Sequence, residues 1–279
     1  MISLMPETTS TNRIETTFQQ HKQQDPDGKL VSLFLTAGYP DPAETVDLIL
    51  GMEEAGADMI ELGIPFSDPL ADGPTIQYSS QVAIEKGIDI DQIFKMVAEV
   101  REQSNIPIIL MGYLNPVLRY GIDAFFHKAA DAGVDGLILP DVPPEETGLM
   151  KKAIEQYQLP LIYLVAPNTS DERMKEIDEA SNGFVYCVSV TGVTGARDGD
   201  EVAQSVERFI DRVDAQIQHN PTMIGFGIKS HEDAQRIAQK ADGFIVGSAL
   251  IDTIRSHYPE EGWKDKVFAF VRELKYGKA

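Results

Sequence analysis

The sequence predicts an α/β protein: one closed (β/α)8 barrel of parallel strands, with an extra helix before the first strand. Three observations predict it. Eight short, nearly continuous aliphatic runs recur along the 279 residues, the pattern of strands buried on both faces. Segments with helical spacing lie between the runs. A junction also repeats, with Ala55-Gly56-Ala57-Asp58, Ala132-Gly133-Val134-Asp135 and Lys240-Ala241-Asp242-Gly243 each preceding a run. It reads as a helix stopped by a glycine, then a tight turn into a strand. Alternation of this kind points to a barrel. An open doubly wound sheet is the alternative, but Thr36-Ala37-Gly38-Tyr39-Pro40 lacks the Gly-rich fingerprint usual after its first strand.

Taken in order, residues 1–12 read as a flexible tail and Ile14–Gln23 as the extra helix, closing the barrel bottom. The strands are expected at Leu30–Thr36, Met59–Leu62, Pro107–Met111, Gly136–Leu139, Leu161–Val165, Phe184–Val188, Met223–Phe226 and Phe244–Val246. Val46, Ile49 and Leu50 mark one intervening helix, Ile93, Val97 and Val100 another, and Phe125, Ala129 and Ala132 a third. Asp41-Pro42, Asp89 and Ser170-Asp171 are helix-start signals. No Gly/Ser linker or charge block divides the chain, so residues 1–279 read as a single TIM-barrel domain.

Composition narrows the function classes. With 24 Lys+Arg against 44 Asp+Glu, the net charge is −20, the wrong sign for nucleic acid or an anionic membrane surface. A 43% hydrophobic fraction excludes low-hydrophobicity disorder. The single cysteine, Cys187, forbids an internal disulfide and any Cys-rich metal site and suits a reducing compartment. The five histidines read as surface residues without ligand spacing, and no metal site is visible. No apolar run reaches the roughly 20 residues a bilayer span needs, and Met1–Gln24 lacks a secretory pattern. A cytoplasmic location is expected.

In a barrel, chemistry sits at the C-terminal strand ends and the loops after them. Gly227 and Ile228 follow the seventh predicted strand, and Gly247 and Ser248 the eighth. Together they read as a phosphate cradle of open N–H groups at a helix start; the alternative is tight turns only. Glu61 ends an otherwise apolar strand, and Asp72 follows in a stiff Pro/Gly-rich loop. Two carboxylates over one pocket divide proton-transfer duties; the alternative is a buried ion-pair partner and a turn residue. Thr191–Arg197 reads as a lid, with a polar stretch Asp198–Glu201 after it. Tyr186 before it is core packing on pattern alone.

Glu61-Leu62-Gly63-Ile64-Pro65-Phe66-Ser67-Asp68-Pro69-Leu70-Ala71-Asp72-Gly73-Pro74-Thr75-Ile76-Gln77 resembles the signature of the tryptophan synthase alpha subunit family. Asp141-Val142-Pro143-Pro144-Glu145-Glu146, Gly192-Val193-Thr194-Gly195 and Gly225-Phe226-Gly227-Ile228 match it in order. The resemblance implies a TIM-barrel lyase of tryptophan biosynthesis, cleaving indole-3-glycerol phosphate to indole and glyceraldehyde 3-phosphate without a cofactor in this chain. It implies Glu61 as general acid/base, Asp72 as its partner and Tyr186 near the glutamate. Thr194 then bonds the aspartate when the lid closes. Phe34, Ile76 and Phe226 contact the indole, and Gly195, Gly227, Gly247 and Ser248 hold the phosphate. It implies a beta subunit carrying pyridoxal phosphate in an αββα heterotetramer, with Pro65–Ala71 and Asn115–Tyr120 as loops on the interface side. Two other classes are weighed. A barrel glycosidase would use the same two acids but leaves the phosphate loops unexplained. A non-catalytic scaffolding barrel has no need of Glu61, Asp72 and Thr194.

Overall fold

The computed structural model describes residues 12–188 and 199–278. The chain opens with α1 (Arg13–Gln24), β1 (Leu30–Thr36), α2 (Thr45–Glu54), β2 (Met59–Gly63), α3 (Pro74–Glu85), α4 (Ile90–Arg101) and β3 (Ile108–Met111). It continues through α5 (Leu114–Tyr120), α6 (Ile122–Ala132), β4 (Gly136–Ile138), α7 (Lys151–Tyr157), β5 (Leu161–Ile162), β6 (Leu164–Val165), α8 (Asp171–Ala180) and β7 (Val185–Cys187). The last elements are α9 (Gly199–Gln216), β8 (Thr222–Ile224), α10 (His231–Ile237), β9 (Gly243–Val246), α11 (Ser248–His257) and α12 (Trp263–Tyr276).

All the pairings are parallel, in the order β5-β4-β3-β2-β1-β9-β8-β7-β6. The two ends of that order are one stretch of chain. β5 pairs with β4, β6 pairs with β7, and Tyr163 alone separates them. The Tyr186 amide donates to the Tyr163 carbonyl at 3.0 Å, which closes the ring. The nine segments are thus the eight expected strands with the fifth interrupted, and the open-sheet alternative falls.

Local chemistry sets the helix starts. The Asp89 side chain accepts from the Gln92 amide at 2.8 Å while the Gln92 side chain accepts from the Asp89 amide at 2.9 Å, a reciprocal cap worth about 1 kcal/mol. Asp41 caps a short 3-10 turn, Pro42–Glu44, and Ser170 caps α8. The helix expected at the barrel bottom is present as α1. Its Ile14 and Phe18 pack against the inward side chains of Leu30, Met59, Ile109, Ile138, Ile162, Phe184, Met223 and Ile245. A barrel bottom otherwise open to water is thereby plugged by apolar surface.

The repeated junction carries more than its glycine. Gly56 and Gly133 have φ of +111° and +89°, the left-handed region that ends a helix cheaply only for glycine. Gly243 differs: it is the first residue of β9, and a Cβ there would lie 2.5 Å from the Leu30 carbonyl oxygen. The aspartates are the common element. Asp58 accepts from the Val31 amide at 2.7 Å, Asp135 from Ile108 at 2.8 Å and Asp242 from Thr222 at 2.8 Å. Each acid before a strand satisfies an amide at the start of the neighbouring earlier strand, where an unpaired buried N–H would be costly.

Three local expectations change. Asn115–Tyr120 lies in α5 rather than a loop, and α9 starts at Gly199, within the expected polar stretch Asp198–Glu201. Among the histidines, His127 and His219 are exposed, while His21, His231 and His257 are half-buried.

Candidate active site

Strand parity places the site. Residues two apart share a face, and the inward positions of β1 and β2 are Leu30, Ser32 and Phe34 beside Met59, Glu61 and Gly63. Phe34 pairs in register with Glu61. Glu61 is fully buried. The Ser32 hydroxyl donates to its Oε1 at 2.9 Å, while Oε2 has no partner among the described residues. Burial opposes the charged form and pushes the Glu61 carboxyl up to about 8, with the Ser32 bond pulling weakly the other way. At neutral pH this acid mostly keeps its proton.

Asp72 lines a small cleft at the barrel mouth, with Phe34, Gly63, Ile76 and Tyr113 among its walls. Phe34 and Gly63 in that wall lie on the same inward face as Glu61, which does not itself line the cleft. Burial raises the Asp72 carboxyl and the facing Tyr113 hydroxyl opposes the rise. Tyr113 itself is held by the Ala71 amide, which donates to its hydroxyl at 3.0 Å, and its ring leans on Phe66. Tyr186 is buried, and its hydroxyl is raised well above the usual tyrosine range, by burial first and then by the charges of Glu61 and Asp72. Both acids therefore raise the same buried hydroxyl. No cation partners Glu61 among the described residues.

The expected phosphate residues lie on the same mouth. Gly247 precedes α11 and has no side-chain cap, so the first amides of that ten-residue helix point outward unpaired by a side chain. Ser248 is exposed beside it. Gly247 packs close to Phe34, because a Cβ there would lie 3.3 Å from Phe34 Cβ. Gly227 is exposed with φ of +69°, and Ile228 is buried beneath it. Phe226 is half-buried against Phe209 and does not line the cleft. Thr194, Gly195 and the expected lid lie outside the described residues. No cluster of three metal-ligating side chains occurs among the described residues.

Ser32 and Tyr113 were not singled out by sequence reasoning as site residues. A lone hydroxyl inside Leu30–Thr36 is the one signal that could have found Ser32. The glycines of the mouth also make room for rings. A Cβ on Gly225 would lie 2.3 Å from the Tyr186 ring, and one on Gly63 2.6 Å from the Phe34 ring. Gly225→Ala is therefore expected to displace Tyr186 and to cost about 1–3 kcal/mol by overpacking, read by urea unfolding at neutral pH.

Comparison with known proteins gives a consistent result. A family model described as "Tryptophan synthase alpha chain" matches residues 18–278. The chain is 46% identical over 264 residues to a tryptophan synthase alpha chain of Thermoanaerobacter sp. (strain X514), covering 95% of this chain and 98% of that one. It is 43% identical over 265 residues to that of Flavobacterium johnsoniae, covering 95% and 100%. Among solved structures it resembles the tryptophan synthase alpha chain of Legionella pneumophila subsp. pneumophila, with 38% identity, TM-score 0.84 and coverage of 96% and 97%. It also resembles a chain of tryptophan synthase from M. tuberculosis, with 34% identity, TM-score 0.83 and coverage of 95% and 98%.

Proposed function

The chain belongs to the tryptophan synthase alpha chain family, and from that premise we propose that Glu61 and Asp72 carry its reaction, with Tyr186 beside them. The reaction is the cleavage of indole-3-glycerol phosphate to indole and glyceraldehyde 3-phosphate in tryptophan biosynthesis, which makes the protein a carbon–carbon lyase. One observation supports the residue roles above the others: a fully buried glutamate, raised to about 8 and with Oε2 unpartnered among the described residues, on the same inward barrel face as Phe34 and Gly63, which line a cleft with Asp72.

The chemistry follows from the bond to be broken. Indole C3 is a poor leaving group until protonated. Glu61 gives its proton to C3, and the ring becomes an indolenine with positive charge centred on N1. Asp72 accepts the N1–H hydrogen bond and stabilises that charge, which appears only as the transition state is approached. Glu61 is then a carboxylate and takes the proton of the glycerol hydroxyl. The oxygen's electron pair forms the aldehyde, the carbon–carbon bond breaks, and its electrons restore the aromatic ring. Proton transfers and charge stabilisation come from these side chains, so the mechanism asks for no cofactor in this chain.

Phe34 and Ile76 form the indole slot. Gly227, Ile228, Gly247 and Ser248 hold the phosphate, together with Gly195, and Thr194 reaches Asp72 when the loop closes. Exposed Leu70 and Leu118, after β2 and on α5, offer apolar surface at the mouth for a beta subunit. We read the partner as that pyridoxal-phosphate enzyme, in an αββα assembly, the chain as one domain and its location as cytoplasmic. No described helix is long and apolar enough to cross a membrane.

The test is indole formation from indole-3-glycerol phosphate, with the purified chain alone and with a beta subunit. Indole is expected in both, with faster turnover in the complex. No indole in either assay overturns the proposal.

A further inference from the structure

The Glu61 carboxyl has two oxygens in unlike settings, and one residue makes the difference. Ser32 and Glu61 are both fully buried. Ser32 lies one inward position below Phe34, the register partner of Glu61. Its hydroxyl donates to Oε1 at 2.9 Å. Oε2 is buried with nothing bonded to it among the described residues. The hydroxyl is also out of character with its strand, whose other inward residues below the mouth are Leu30 and Phe34.

We propose that Ser32 is a positioning residue for Glu61: by donating to Oε1 it anchors the carboxyl against the barrel wall and leaves Oε2 as the oxygen that carries and delivers the proton. This rests on the general-acid reading of Glu61. The physical reason is one of occupancy. An oxygen already accepting a hydrogen bond is the poorer site for the proton, so the acidic hydrogen sits on the other oxygen. Fixing one oxygen also removes a rotation of the carboxyl that would otherwise precede each transfer.

The groups facing Glu61 make Ser32 the one to change. β1 brings Ser32 and Phe34, and β3 brings Ile109 and Met111, so neither neighbouring strand adds a charge there. Among the described residues, Tyr186 on β7 and Asp72 from the β2–α3 loop are the titratable groups of this region, with Tyr113 beyond Asp72. None of them is a cause of the shift at Glu61, which is set by burial and opposed by Ser32. Ser32 is the described side chain that favours the ionised carboxylate.

The experiment compares Ser32→Ala, Ser32→Thr and Glu61→Gln in the full chain. Turnover is followed across pH, and the Glu61 carboxyl is titrated directly by infrared difference spectroscopy, with Glu61→Gln identifying its band. For Ser32→Ala the expected result is a roughly tenfold fall in kcat with little change in KM. The Glu61 midpoint should move upward by roughly one pH unit, both in the kcat profile and in the infrared titration. Ser32→Thr keeps the hydroxyl and restores both midpoints toward wild type. An unmoved carboxyl midpoint in Ser32→Ala overturns the inference, and this readout does not depend on activity. If Glu61→Gln is inactive while Ser32→Ala matches wild type, the inference fails and the lyase mechanism stands. If Glu61→Gln turns over normally, the role of Glu61 fails, and the inference with it.

Discussion

Glu61→Gln is expected to lower indole formation by about 10²–10⁴-fold with little change in KM. The amide keeps the shape of the side chain and can still accept from Ser32, so binding and fold survive while the proton is gone. The same variant has a second signature. In the folded chain the carboxyl is raised from 4.5 to about 8, so the folded state holds a proton that the unfolded state releases between those values. Its contribution to stability is fully present below about 4.5 and is lost as pH rises through about 8. Across that interval the loss is on the order of 4 kcal/mol. Urea unfolding of the wild type at pH 5.5 and 8.5 should therefore show a fall that Glu61→Gln lacks. Equal slopes would mean that the carboxyl is not held neutral by burial.

The largest effect on folding is expected at the opposite face of the barrel. Asp135 has a side chain only 3% exposed and joins Arg101 Nη2 at 2.7 Å, Arg13 Nη1 at 2.9 Å and the Ile108 amide. Asp135→Ala removes the acceptor for all three at once. Arg101, 11% exposed, is left as an uncompensated charge, and a buried strand amide loses its partner. The expected cost is about 3–5 kcal/mol, measured by urea unfolding near neutral pH. Lys128→Ala is the control. Its bond to Asp91 lies between half-exposed side chains, and pairs of that kind contribute about 0–1 kcal/mol. Similar losses for the two variants would contradict the burial argument.

These two residues show what a sequence can disclose. Glu61 stood out because a carboxylate at the end of an apolar run demands a reason, and the reason is local to that run. Asp135 also lay in a visible repeat, yet the repeat was read for its glycine. The role of its acid depends on Ile108 and two arginines more than twenty residues away, contacts that only strand neighbourhood supplies. Ser32 was hidden for the same cause: its meaning comes from the β1–β2 register, not from its flanking residues. The helix starts at Asp89 and Ser170 were legible because capping is a matter of three residues. The α5 helix was not, since Pro116 within Leu114–Tyr120 looks like a loop until one sees it near the helix start, where a missing N–H costs nothing.

The closure at Leu161–Val165 has a consequence for solubility. That stretch gives its first half to one neighbour and its second half to another, so among the described strands none presents a free lateral ladder to a second molecule. A folding intermediate lacking this seam would expose two such borders at once, each a template for cross-chain pairing. The five residues that complete the ring therefore also guard a chain of this size against polymerising through its own sheet.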